Sequence, residues 1–157
     1  MSIVVREART SDRRACVGLW RALHAEHEQL DARYRIDASA ADRWRADFPD
    51  WVRSDSSGVW IAVGGGSAPL GLIVAHAYEA APVYRPERIL FVSDLYVEPD
   101  ARGRGIGRRL LAAARAWGDA RDLGQTRAGV LAANAAGLAF WERAGATPLS
   151  VTVTIDR

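Results

Sequence analysis

The sequence predicts a mixed α/β domain of the α+β kind. Three β-rich runs, Gly58–Val63, Leu70–Tyr78 and Ile89–Val97, follow one another with only turns and a short connection between them, which predicts an antiparallel meander. Stretches with helical spacing of apolar residues stand before and after it. A length of 157 residues suits one compact core, so 1–157 is expected to form a single domain.

Ile3 to Arg6 reads as a short strand. Thr10, Ser11 and Asp12 supply capping side chains before an apolar series at Cys16, Leu19, Trp20, Leu23, His27 and Leu30, the stripe of an amphipathic helix. Residues 31–39 lack periodicity and read as a loop. A second helix is expected from about Ala40 to Val52, with Pro49 interrupting or ending its regular part. Gly64 to Pro69 is the turn of a hairpin between the first two meander strands. After Pro99 a glycine-rich turn leads into a helix with a stripe of Leu110, Leu111, Ala114 and Trp117. Gly118 inside it costs up to ~1 kcal/mol against alanine, and Gly124 is the expected C-terminal stop. Thr126 to Ala132 returns as a strand, Asn134 caps a short helix through about Ala144, and Val151 to Ile155 alternates as a closing strand. The expected order is βααβββαβαβ.

Hydrophobic residues make up 49% and charged residues 25%, a globular balance that excludes a disordered chain. Every basic side chain is arginine, and the net charge of +2 is spread except for a cluster at Arg102, Arg104, Arg108 and Arg109. So local a cluster suits a small anion and argues against a nucleic-acid partner. Cys16 is the sole cysteine, which excludes an intramolecular disulfide and a cysteine-rich metal site. His24 and His27 share a helix face without a third ligand nearby, so no metal is expected. No apolar run approaches the ~20 residues of a membrane span, and the first residues lack a secretory pattern, so a cytoplasmic protein with no membrane partner is expected.

The segment from Asp94 to Leu111, DLYVEPDARGRGIGRRLL, places glycines between a strand end and a helix start. Glycine permits close backbone approach there, and the free N–H groups at the positive end of the helix dipole favour phosphate oxygens. Arginines add charge-assisted donors. A P-loop does not fit, because Gly107 is followed by two arginines with neither lysine nor a hydroxyl residue. A dinucleotide fingerprint does not fit either, since Arg108 stands where its third glycine belongs. An isolated turn with solvated arginines is the plain alternative.

Arg102-Gly-Arg-Gly-Ile-Gly107 resembles the [Arg/Gln]-x-x-Gly-x-[Gly/Ala] motif of the GNAT superfamily of acetyl-CoA-dependent N-acetyltransferases. Leu95-Tyr-Val97 ahead of it is similar to that family's strand end, and Asn134 to Ala146 to its Asn, aromatic and Gly-containing segment. The resemblance covers about residues 89–147. It implies a splayed mixed, largely antiparallel sheet flanked by helices, and acetyl-CoA as cosubstrate. Leu95, Tyr96 and Val97 would bind the pantetheine arm through their backbone, Arg102, Gly103, Arg104, Gly105, Ile106, Gly107 and Arg108 would receive the pyrophosphate, and Asn134 would contact the cofactor further along.

The chemistry implied is attack of a neutral primary amine, on a small molecule or a protein, at the thioester. Asp94 is the leading candidate for binding or deprotonating that amine; its alternative is a strand-end carboxylate paired with an arginine or water. Glu98 and Glu142 are weaker candidates. Trp141 stands where many relatives have the tyrosine that protonates the leaving thiolate, and an indole cannot do so. Tyr34 is expected to border the acceptor, and His76 to be a packed or cleft-lining histidine. A homodimer is compatible with the resemblance. Two other readings stay open: a noncatalytic acyl-CoA-binding sensor on the same fold, favoured by Trp141, and an interaction module whose glycine turn is structural.

Overall fold

In a computed structural model, residues 2–66, 68–85 and 87–156 are described. The strands are β1 (Val4–Glu7), β2 (Ser57–Val63), β3 (Pro69–Glu79), β4 (Arg88–Val97) and β5 (Gln125–Ala128); the helices are α1 (Arg13–Leu30), α2 (Ala40–Arg53), α3 (Ile106–Asp119) and α4 (Ala135–Arg143). The sheet order is β1-β2-β3-β4-β5. All neighbours are antiparallel except β4 and β5, which run parallel across the α3 connection. The meander and the mixed, largely antiparallel sheet expected from sequence are present.

Alternation along the central strands builds a core on each face. Val59, Ile61, Leu72, Val74 and Tyr96 pack under α1 and α2, against Cys16, Leu19, Trp20, Leu23, Trp44 and Phe48. Trp60, Ala62, Ile73, Ala75, Leu90 and Val92 face α3 through Ile106, Leu110, Leu111 and Ala114. Burial raises the Cys16 thiol to about 12, so it is held neutral in the first of these cores.

Four expectations need correction. Helix α2 runs through Pro49 to Arg53. Pro49 forfeits one backbone bond, but fully buried Phe48 before it and Trp51 and Val52 after it pack on the same core and hold the helix on both sides. Gly124 is not the stop of α3: the helix ends at Asp119, Asp122 takes the left-handed φ of 56°, and the N–H groups of Arg121 and Leu123 close on the Gly118 carbonyl. The reason is Leu123, which turns back into the core before Gly124 is reached. Strand β5 stops at Ala128 instead of Ala132. Finally, Val151 to Ile155 form no strand, and Val151, Val153 and Ile155 are 83–93% exposed. Alternation supplies side chains suited to a sheet; a strand also needs a ladder partner, and this tail lies beside none.

No helix among the described residues is long and apolar enough to cross a membrane.

Candidate functional site

The site begins at a defect in the ladder. Val74 pairs with Asp94 and Ala75 with Val92, so Ser93 is an extra residue on β4 with no opposite number on β3. The β4–β5 ladder ends at the same level, with Val92 opposite Ala128. Beyond it, residues 94–97 have β3 on one side and an edge free of β5 on the other. The splay expected from the resemblance therefore opens at Ser93.

Asp94 lies on the face covered by α1 and α2 and is only 8% exposed. Burial raises its carboxyl above the usual 3.8, and the Ser93 hydroxyl, His76 and the indoles of Trp44 and Trp20 act in the opposite sense. The arginine-paired or solvent-exposed carboxylate is thus replaced by a carboxyl in an aromatic box. Trp44 Nε1 is buried without a hydrogen bond of normal geometry, although it acts on Asp94 as a donor at longer range.

The bulge also brings Ser93 within reach of two partners. Its Oγ donates to Asp94 Oδ2 at 2.7 Å and lies 3.1 Å from His76 Nε2. On the other side of that ring, Nδ1 is 2.9 Å from Ser57 Oγ, because Ser57 and His76 are register partners on β2 and β3. Trp51 of α2 packs edge-on against the ring at 5.6 Å. Burial lowers the His76 pKa, while the Asp94 charge raises it. His76 is half-buried and packed among Ser57, Ser93 and Trp51, whereas Ser57 and Ser93 had no sequence signal: their approach depends on hairpin register and on a bulge.

At the C-terminal end of β4, Pro99–Ala101 forms a short 3-10 turn, and Gly103 and Gly105 follow with φ of 76° and 74°. These are left-handed angles that a side chain strains. The first bond into α3 is Arg109 N–H to the Gly105 carbonyl, so the amides of Ile106, Gly107 and Arg108 have no intrahelical acceptor. Among the described residues the amides of Gly103, Arg104 and Gly105 have no backbone acceptor either. Space around the Cα atoms of Gly103 and Gly105 is open. The result is a continuous run of unpaired donors at the positive end of a helix, a geometry suited to a diphosphate.

Arg104 and Arg108 are exposed beside this run. Arg102 is occupied: Nε donates to the Val97 carbonyl at 2.8 Å, Nη2 to Glu26 Oε1 at 2.6 Å, and its guanidinium lies over the Tyr96 ring. Its side chain braces the strand end. Leu95 and Val97 point toward the α3 core, whereas Tyr96 is buried on the other face, where burial first and then Glu98 and Glu26 push its phenol above the usual 10.

Helix α4 covers the other side of the turn. Asn134 is its N-cap, with Oδ1 accepting from Gly137 N–H at 2.9 Å, while Nδ2 has no acceptor among the described residues. Phe140 and Trp141 meet edge to face at 5.5 Å and pack on the α3 core, which gives Trp141 a structural place. Tyr34 sits 49% exposed on a 3-10 turn after α1. His24 is half-buried, its ring tilted against that of Trp20 at 4.3 Å between centroids. A surface hollow of about 710 Å³ lies at the far end of β3 and β4 around Ala77 and Arg88, away from the glycine turn.

Comparison with known proteins places this geometry in context. Residues 20–146 match the Acetyltransferase (GNAT) family. Peptidyl-lysine N-acetyltransferase YjaB of Escherichia coli K12 is 27% identical over 112 residues, a match spanning 71% of this chain and 63% of that protein. Among solved structures, a mutant of the BH1408 protein from Bacillus halodurans superposes with a TM-score of 0.86 at 23% identity, covering 98% of this chain and 99% of that one. Aminoglycoside N-acetyltransferase AAC(6')-Iy in complex with CoA gives 0.77 at 17%, covering 99% and 95%. At these identities the structural likenesses speak to the fold.

Proposed function

The chain belongs to the GNAT family of acetyltransferases, and on that premise we propose that it moves an acetyl group from acetyl-CoA to a primary amine of a small molecule or protein. The observation that carries this reading is the run of amides from Gly103 to Arg108 that have no backbone acceptor among the described residues, beside the free edge of β4. These amides, with Arg104 and Arg108, would hold the diphosphate; the free edge at Leu95, Tyr96 and Val97 would hold the pantetheine arm; Asn134 Nδ2 would donate further along. Acetyl-CoA supplies the activated thioester.

Asp94 receives the amine. A carboxyl raised by burial is a better match to a neutral-pH proton transfer than an exposed one, and it accepts the N–H proton as the nitrogen attacks the carbonyl. Trp141 donates no proton, so the thiolate, with an ordinary pKa of about 8.5, departs unassisted or is protonated by water or Tyr96. Tyr34, exposed on the 3-10 turn after α1, would border the outer part of an acceptor. The chemistry of the named relatives, one acting on peptidyl lysine and the other an aminoglycoside acetyltransferase, sets the acceptor classes to try first. A cytoplasmic setting belongs to the same reading.

Incubation with acetyl-CoA and a panel including a lysine peptide, a polyamine and an aminoglycoside, with free CoA and acetylated product both measured, tests it. Product from at least one amine is expected. Tight CoA binding without product across the panel would instead favour the noncatalytic sensor, the reading that Trp141 supports.

The same reading includes a homodimer. The outer edge of β5 is open, and a second copy would cover the exposed Leu149, Val151, Val153 and Ile155. Sedimentation should give twice the 17.1 kDa chain mass; a monomer at micromolar concentration would refute it.

A further inference from the structure

We propose that Ser93, His76 and Ser57 form the path by which Asp94 releases the proton it takes from the amine, with His76 as the base that draws it through the Ser93 hydroxyl. This rests on Asp94 being the base, and adds residues from β2 and β3 to a reaction otherwise confined to β4 and the turns around it.

The need for such a path follows from burial. Asp94 is enclosed by Trp20, Trp44 and its own strand, so a proton arriving there has no direct contact with bulk water once an amine fills the remaining approach. The geometry supplies one continuous set of contacts: Asp94 Oδ2 to Ser93 Oγ at 2.7 Å, Ser93 Oγ to His76 Nε2 at 3.1 Å, and His76 Nδ1 to Ser57 Oγ at 2.9 Å. Three strands contribute, and the contact between β3 and β4 exists because of the bulge at Ser93. Asp94 is buried, whereas Ser93 is exposed and His76 and Ser57 are half-buried, so every group beyond Asp94 is more open to water than the carboxyl itself.

Proton and bond changes balance along it. With Asp94 protonated, its O–H donates to Ser93 Oγ, the Ser93 O–H to His76 Nε2, the His76 Nδ1–H to Ser57 Oγ, and the Ser57 O–H to water. One shift along each bond leaves Asp94 as carboxylate, moves the ring proton from Nδ1 to Nε2, and delivers one proton to water. The final arrangement has Ser93 donating to Asp94, which is the polarity in the structure. Rotation of the hydroxyls and exchange of the ring proton with water reset the chain. Trp51 is the side chain packed on His76 from α2, and the charge acting on the ring is that of Asp94.

Ring-nitrogen NMR on the full chain with labelled histidine tests the coupling without any acceptor. With Asp94 ionised, His76 should carry its proton on Nε2. Asp94→Asn should move the His76 titration to lower pH, and Ser93→Ala should weaken the link between that titration and Asp94. An Nδ1–H ring that ignores both changes would overturn the proposal. In acetyl transfer to whichever panel amine reacts, His76→Gln should lower kcat by between about ten and a hundredfold with the KM for acetyl-CoA unmoved, and added imidazole should restore part of it. Loss of rate in Asp94→Asn but not in His76→Gln overturns the relay while leaving Asp94 as base; full rate in both removes the base itself.

Discussion

A Cβ atom on Gly107 would stand 3.0 Å from Cε2 of Phe140, so the first turn of α3 and the middle of α4 meet with no room for a side chain between them. The contact sets how closely the cap of α4, at Asn134, approaches the unpaired amides of the glycine turn. Gly107 is therefore a packing glycine, unlike Gly103 and Gly105, whose surroundings are open and whose left-handed angles explain their identity. Gly107→Val should cost about 1–3 kcal/mol through overpacking, read as a lower urea midpoint with an unchanged slope. CoA affinity should fall with it. An unchanged midpoint would mean that α4 is not held by this contact.

Gly105→Glu separates the same two effects. A side chain at φ 74° costs about 1–2 kcal/mol of backbone strain, and the added carboxylate repels a diphosphate. Calorimetry should show CoA binding weakened far more than the stability loss alone allows. Gly105→Ala should show the strain with a smaller loss of affinity.

Asn134→Ala removes the acceptor for Gly137 N–H and should destabilise the chain by about 1 kcal/mol. Asn134→Asp keeps that acceptor but replaces Nδ2 by oxygen, so thermal unfolding should stay near that of the parent while CoA affinity drops. Equal affinity in the two chains would remove Asn134 from the cofactor's path.

Acid sensitivity follows from the histidines. His24, His27 and His76 all have pKa values lowered chiefly by burial from the ordinary 6.5. Their contribution to stability is present above about 6.5 and is lost as pH falls through the depressed folded values. Asp94 has the opposite sign: its folded pKa is raised above 3.8, so its contribution is present below 3.8 and lost as pH rises through the folded value. With Asp94 replaced by Asn, only the histidines act in this window, and the denaturation midpoint of that variant should drop on acidification from pH 7.5 to 5. Asp94→Asn should be no less stable than the parent at pH 8; a large loss there would mean that the charged carboxylate is itself a structural anchor.

Local chemistry was legible in the sequence and pairing was not. The glycine turn, the Asn134 cap and the amphipathic stripes of α1 and α3 depend on neighbours within a few residues, and each stands where the pattern put it. Ser57 and His76 are 19 residues apart, and their contact needs the hairpin register. Alternation does place Ser57, Val59 and Ile61 on one face of β2, and Val74 and His76 on one face of β3, so a fixed register would have found that pair. Ser93 needs the bulge, which no glycine in β4 announces. The tail from Val151 shows the limit from the other side: perfect alternation, no ladder.

The claim that main-chain donors at residues 103–108 receive a CoA diphosphate is tested most directly by following backbone amide resonances while CoA is added to the labelled protein. Large shifts concentrated at Gly103 to Arg108, with smaller ones at Leu95 to Val97, are predicted. Saturable binding that leaves those amides unmoved and perturbs residues around Ala77 and Arg88 instead would contradict it.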